Sequence, residues 1–227
     1  MPTRSVLLTI FACCLVCVAA FAADSKPSVK SVNTTPEGLS EKVAAVLDKA
    51  GHNIQTGEGD LVTVWFAKLT GIPADFEPGF YVKYPFEDGQ LIGAIHVPKG
   101  SKFTDFRGQE LQPGTYTLRY GQQPMDGNHI GTSETADFLL ALPAKVDQDP
   151  AKIKMKDSLN QKSADAAGST HPAILSLLPE AESKDAKLTH DEDNDFWIFE
   201  AGVPAEIGGK KNQKVPVKIV VVGQSAV

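Results

Sequence analysis

The sequence predicts a mainly β fold: an antiparallel β-sandwich with a short N-terminal helix and a small helical excursion. Three observations carry this. Short runs rich in Val, Ile, Thr, Tyr and Phe recur at intervals of about ten to twenty residues, giving about seven strands. No regular helices separate the runs, as a parallel α/β sheet would require. The 19 glycines and 15 prolines among 227 residues supply turns between them.

The first 22 residues read as a leader. Arg4 precedes the apolar run Val6–Phe21, and Ala20-Phe21-Ala22 places small residues where a signal peptidase cuts. The run is short for a spanning helix and lacks a basic stop-transfer flank. The expectation is a cleaved signal over 1–22 and a secreted or periplasmic protein, with no membrane span after cleavage. The three cysteines, Cys13, Cys14 and Cys17, all fall inside the leader. The mature chain is therefore expected to have no disulfide, thiolate nucleophile or thiolate metal site.

Residues 23–59 read as a tether and a helix. Asp24–Thr34 is polar. Thr35-Pro36-Glu37 has the form of a helix start: hydroxyl cap, proline, acid. Leu39, Val43, Val46, Leu47 and Ala50 recur at helical spacing, and Gly51 sits where a C-terminal cap belongs.

Residues 60–227 read as the sandwich. Leu61–Phe66, Phe80–Tyr84 and Leu91–Val97 are strand-like, with Asp88-Gly89 as a hairpin turn before the last. Pro113-Gly114 opens Thr115–Tyr120, where Tyr116, Leu118 and Tyr120 alternate with Thr115, Thr117 and Arg119. Ala136–Leu142 reads as a buried strand stopped by Pro143. Asp149-Pro150 opens the helical excursion at 150–178, helical to about Ala166. Its end, His171–Leu178, is a helical turn or an irregular packed segment. Lys184–Asp195 is polar. Phe196–Phe199 and Val215–Val222 are the last strands, joined by an exposed loop over 208–213.

Charge and motifs exclude more than they assign. With 22 Lys+Arg against 28 Asp+Glu, the net charge of −6 argues against binding nucleic acid through a basic face. Gly131-Thr132-Ser133-Glu134-Thr135 lacks the final glycine of a nucleophile elbow. Gly209-Lys210-Lys211 lacks the spacing and hydroxyl of a phosphate loop, and His-Glu-x-x-His is absent. Gly57-Glu58-Gly59 precedes a strand, so it is not a dinucleotide turn. Asp191–Asp195 begins like a calcium loop, but Phe196 and Gly202 occupy the positions an EF-hand needs for glycine and glutamate.

Two loops hold the candidate chemistry. Asp126-Gly127 forms a turn presenting Asn128 and His129. His129 could ligate a metal or move a proton with Asp126 orienting it, joined by His171 and His96 if the fold converges. The bland alternative is that these side chains cap turns. Asp105 and Arg107, two apart, can pair or hold a carboxylate or sugar, and Asn128 and Arg119 complete the ligand candidates. His52 and His190 lie in polar stretches and read as solvated. Trp65, Tyr81, Tyr84, Tyr116, Tyr120 and Trp197 could form a sugar-stacking face, but their apolar settings read as core.

The stretches Phe103–Gly108, Pro113–Gly121, Asp126–His129 and His171–Leu177 resemble those of secreted bacterial proteins without assigned function. The resemblance covers roughly Leu61–Leu178 and the final Val-rich strand. It implies an exported bacterial protein and no activity. Pro113–Leu118 is also similar to strand entries of immunoglobulin-like and carbohydrate-binding sandwiches. The function expected is a non-enzymatic ligand- or envelope-binding module, for carbohydrate or cell-envelope material. The alternative is a metal-binding protein or metal-dependent enzyme built around His129. No pattern names a cofactor.

Overall fold

A computed structural model describes residues 26–123, 135–154 and 156–225. The leader expected over 1–22 lies outside them. The chain is mainly β, with antiparallel pairing and two helices, as expected.

The larger sheet begins earlier than expected. Ser28–Asn33 is strand β1, not tether, and pairs antiparallel with β2, Leu47–Thr56. The helix between them is one short piece, α1, Glu41–Val46, and the cap is Ser40, which accepts from the Val43 amide. The apolar stripe that suggested a longer helix is divided between α1 and β2. Gly51 is no helix cap. It lies in β2 opposite Trp65, and a Cβ there would sit 2.4 Å from the Trp65 indole nitrogen. The indole crosses β2 at this glycine and donates to the Thr34 carbonyl, 2.7 Å away. Glycine in a strand here marks close approach, not a stop.

Next come β3, Gly59–Ala67, β4, Leu69–Ile72, β5, Leu91–Val97, β6, Gly114–Gln122, and β7, Asp137–Pro143. Helix α2 covers only Lys156–Ala167 of the excursion expected over 150–178, and Ile174–Ser176, expected as a helical turn or an irregular segment, is strand β8 because β7 supplies its ladder. The sheet order is β1-β2-β3-β5-β6-β7-β8. Strand β7 is buried on both faces. Leu139 and Ala141 enter the main core, while Leu140 and Leu142 pack on Leu159 of α2. That two-sided cover explains its unbroken apolar run.

The second sheet holds β10, Phe196–Ile207, between β11, Lys210–Val222, and β4, with β9, Lys187–Asp191, also paired to β10. Gly208-Gly209, both at positive φ, forms the two-residue turn of a long hairpin, so Lys210–Gln213 is strand rather than loop. The stretch 184–195, read as merely polar, contains β9 and its turn into β10. Residues of both sheets form one apolar cluster. Phe66 of β3 stacks on Phe199 of β10 with ring centres 6.2 Å apart.

Phe80–Tyr84 is not a strand. It belongs to an irregular loop between β4 and β5, with Pro73, Pro78 and Pro85 breaking its ladder potential. Asp88-Gly89 does form a turn, but Gly89 donates to the Tyr120 carbonyl and Tyr120 to that of Gln90, docking the turn on β6.

Candidate functional site

The buried charges noticed in the sequence hold the scaffold together. Arg119 is fully buried on the outer face of β6. Its guanidinium forks onto Asp147 at 2.8 and 2.9 Å. The remaining N–H groups meet the carbonyls of Gly89, Asp149 and Ala151. All five donors are thereby used within the protein. Arg119, read as a ligand contact, instead staples 147–151 and the Gly89 turn to the sheet. Thr117 adds a bond to the same carboxylate at 2.5 Å.

Asp105 is also buried, and it does not pair with Arg107. Its carboxylate accepts from the backbone amides of Arg107, Gln109 and Ile174 and from the Gln109 side chain. This ties the loop after Phe103 to β8. Burial pushes its pKa up, and those four donors pull it back. The Arg107 side chain is exposed. Asp137 plays a similar part. It accepts from the Tyr120 hydroxyl at 2.5 Å and the Lys83 amide at 2.8 Å, anchoring the 79–84 loop, and burial raises its pKa.

Among the described residues the histidines form no common site. His96 is half-buried and its Nδ1 lies 3.0 Å from the Thr115 hydroxyl, while His171 is exposed. Asp126, Asn128 and His129 lie outside the described residues. Among the described residues no three His, Cys, Asp or Glu side chains are placed to hold a metal. Neither His52 nor His190 is simply solvated. His52 is wedged against Phe66 and Phe199, at 6.0 and 5.4 Å between ring centres. His190 stacks on Trp197 at 4.6 Å and meets Asp195.

Among the described residues a cleft that the sequence did not suggest has the shape of a ligand site. It opens where the two sheets part company. Leu177 of the segment after β8 bridges Ile219 of β11, and Leu178 donates to the Lys218 carbonyl at 3.0 Å. The reciprocal bond is relayed: the Lys218 amide donates to the Tyr84 hydroxyl, which donates to the Leu178 carbonyl at 2.6 Å. The phenol thus wedges the strands apart. Pro179 and Pro216 follow on either side, and neither has an N–H to continue a ladder. Past them lies a cleft of about 690 Å³.

Its apolar wall comes from Ile72, Phe76, Phe80, Tyr84, Ile207 and Val215. Pro73, Pro78, Pro85, Pro179 and Pro216 stiffen the rim. Phe80 is 80% exposed and sits edge-on to Tyr81 at 4.7 Å. The Phe80 loop is braced: Ala136 donates to the Tyr81 carbonyl, and Lys83 Nζ to that of Gly79. Lys83, Lys214 and Glu180 also line it, Glu180 on backbone at φ 56°. The signal in the sequence was the aromatic pair Phe80-Tyr81 set between prolines, which reads equally well as a strand.

A second, smaller cleft of about 360 Å³ lies beside Trp197, with Thr56, Glu58, Asp60, Ser101 and Lys102 in its lining. No protein-family model, curated protein or solved structure matches this chain.

Proposed function

We propose that this chain is an exported, non-catalytic binding protein that takes cell-envelope material with an apolar body into the cleft past Pro179 and Pro216. The cleft carries the reading. Its volume of about 690 Å³ falls in the range of small-molecule sites, about 300–1,000 Å³, and its wall is mostly apolar with a few polar groups. The braced loop favours binding, because a preformed wall loses little entropy on ligand capture. The buried carboxylates Asp105, Asp137 and Asp147 accept from fixed internal donors, which suits a scaffold role. The leader expected over 1–22 supplies the export.

The test is a thermal-shift screen of extracted envelope lipids and glycans. A ligand at about a hundred times its Kd adds about 2.7 kcal/mol. For a chain of this size that raises Tm by about 5–10 °C. The shift should vanish in Ala181→Trp, which fills the cleft. It should shrink in Phe80→Ser, which removes an exposed wall. A shift of full size in both variants would place the ligand elsewhere.

A second reading is favoured by one observation. The smaller cleft combines the Trp197 ring with hydroxyl and carboxylate neighbours, the residue types that hold a sugar. A glycan shift lost in Trp197→Ala and kept in Ala181→Trp would favour this site.

A further inference from the structure

We propose that the ligand of the larger cleft is an amphipathic anion: an apolar body against the aromatic and proline wall, with its acidic group between Lys83 and Lys214. This rests on the cleft reading above and adds the ligand's chemistry. The walls dictate the first half. Five prolines offer rings and carbonyls but no N–H, so along much of the rim the backbone accepts hydrogen bonds without donating them. A ligand rich in acceptors would find few partners there.

The donors come from two lysines. Lys83 Nζ donates to the Gly79 carbonyl at 2.9 Å, and Lys214 Nζ lies 3.5 Å from that of Lys184. Each ammonium has three N–H groups, so these carbonyls leave donors over. Among the described residues neither ammonium has a carboxylate within 4.0 Å. Two lysines against the one carboxylate of Glu180 leave a net positive charge among its lining residues, with the buried Asp137 carboxylate acting on Lys83 from outside that lining. That is unusual in a chain whose net charge is −6. An apolar body that carries an acidic group satisfies both halves of the site.

Two probes of nearly the same shape isolate the charge: 1-anilinonaphthalene-8-sulfonate and its neutral relative N-phenyl-1-naphthylamine. Fluorescence titration of the full mature protein should give the sulfonate at least a tenfold lower Kd. The Lys83→Met/Lys214→Met variant keeps the aliphatic stems and should bring the two within twofold by weakening the sulfonate alone. Both probes should weaken in Phe80→Ser, whose side chain is exposed and outside the core. Equal Kd values in the wild type, with both probes lost in Ala181→Trp and weakened in Phe80→Ser, would overturn the anion while leaving the cleft reading intact. Binding indifferent to Ala181→Trp and Phe80→Ser, or no binding of either probe, would overturn the anion and count against the cleft as well.

Discussion

His52 shows what one misplaced polar atom can do. Its Nδ1 is buried with no hydrogen-bond partner among the described residues, and its ring lies against Phe66 and Phe199 where the two sheets meet. Burial holds its pKa below the usual 6.5, the Lys214 ammonium adds to the effect, and Asp48 opposes it. The folded chain therefore binds fewer protons here than the unfolded chain as pH drops below 6.5. Stability is unaffected by this group above that pH and falls below it. His52→Phe should flatten the decline: the urea midpoint of the wild type should drop more between pH 7.5 and 5 than that of the variant. Lys214→Met should raise the His52 pKa in an NMR titration. Parallel urea profiles would mean that His52 takes up its proton in the folded chain as readily as in the unfolded one. None of this was legible in Ala50–Asn53, because the hydrophobic partners sit on other strands, Phe66 on the neighbouring β3 and Phe199 on β10 of the second sheet. Arg119 taught the same lesson. Its place in the alternation of Thr115–Tyr120 was visible, but its partner Asp147 lies across a strand and a turn.

Elements with local signals were read well. The Pro113-Gly114 entry and the alternation behind it correspond to β6, whereas Asp149-Pro150 opens no helix and α2 is Lys156–Ala167. Elements whose stability comes from pairing were not. β2 and β9 carry polar, glycine-containing or charged sequences, and they are strands because neighbours supply their ladders. The cleft belongs to this second kind. It exists because one hydroxyl, from Tyr84, takes the place of a direct bond between Leu178 and Lys218. Burial and its neighbours push that phenol's pKa well above the ordinary tyrosine range, so it remains a donor at all working pH values. Tyr84→Phe would leave the Lys218 amide and the Leu178 carbonyl without this partner. The expected cost is about 1–3 kcal/mol, the penalty for stranded buried polar groups. Hydrogen exchange at the Lys218 amide should speed up well beyond its neighbours along β11. A stability loss with Lys218 exchange unchanged would mean that the strands close directly on each other.

At the scale of the whole molecule, the composition forecast the β class and the residue pattern forecast the turns. How the two sheets meet was not written locally, because it depends on contacts such as Phe66 on Phe199 and Leu177 on Ile219. The same arrangement leaves an edge to protect. β11 is an outer strand of its sheet, and Lys210–Lys214 is exposed along it. An unpaired edge invites another chain, and lysines are a common guard. Lys210, Lys211 and Lys214 occupy that stretch, with Pro216 just beyond. Two effects compete when Lys210→Thr, Lys211→Thr and Lys214→Thr are combined. The chain becomes more negative overall, which disfavours association. The edge itself becomes neutral and β-favouring. Screening decides between them: at physiological salt, charges more than about 8 Å apart are largely hidden from each other. The remote acidic surface then contributes little at the edge, and the local loss dominates. Sedimentation velocity should show the triple variant self-associating at concentrations where the wild type does not. If their distributions coincide across the concentration range, these lysines do not guard the edge.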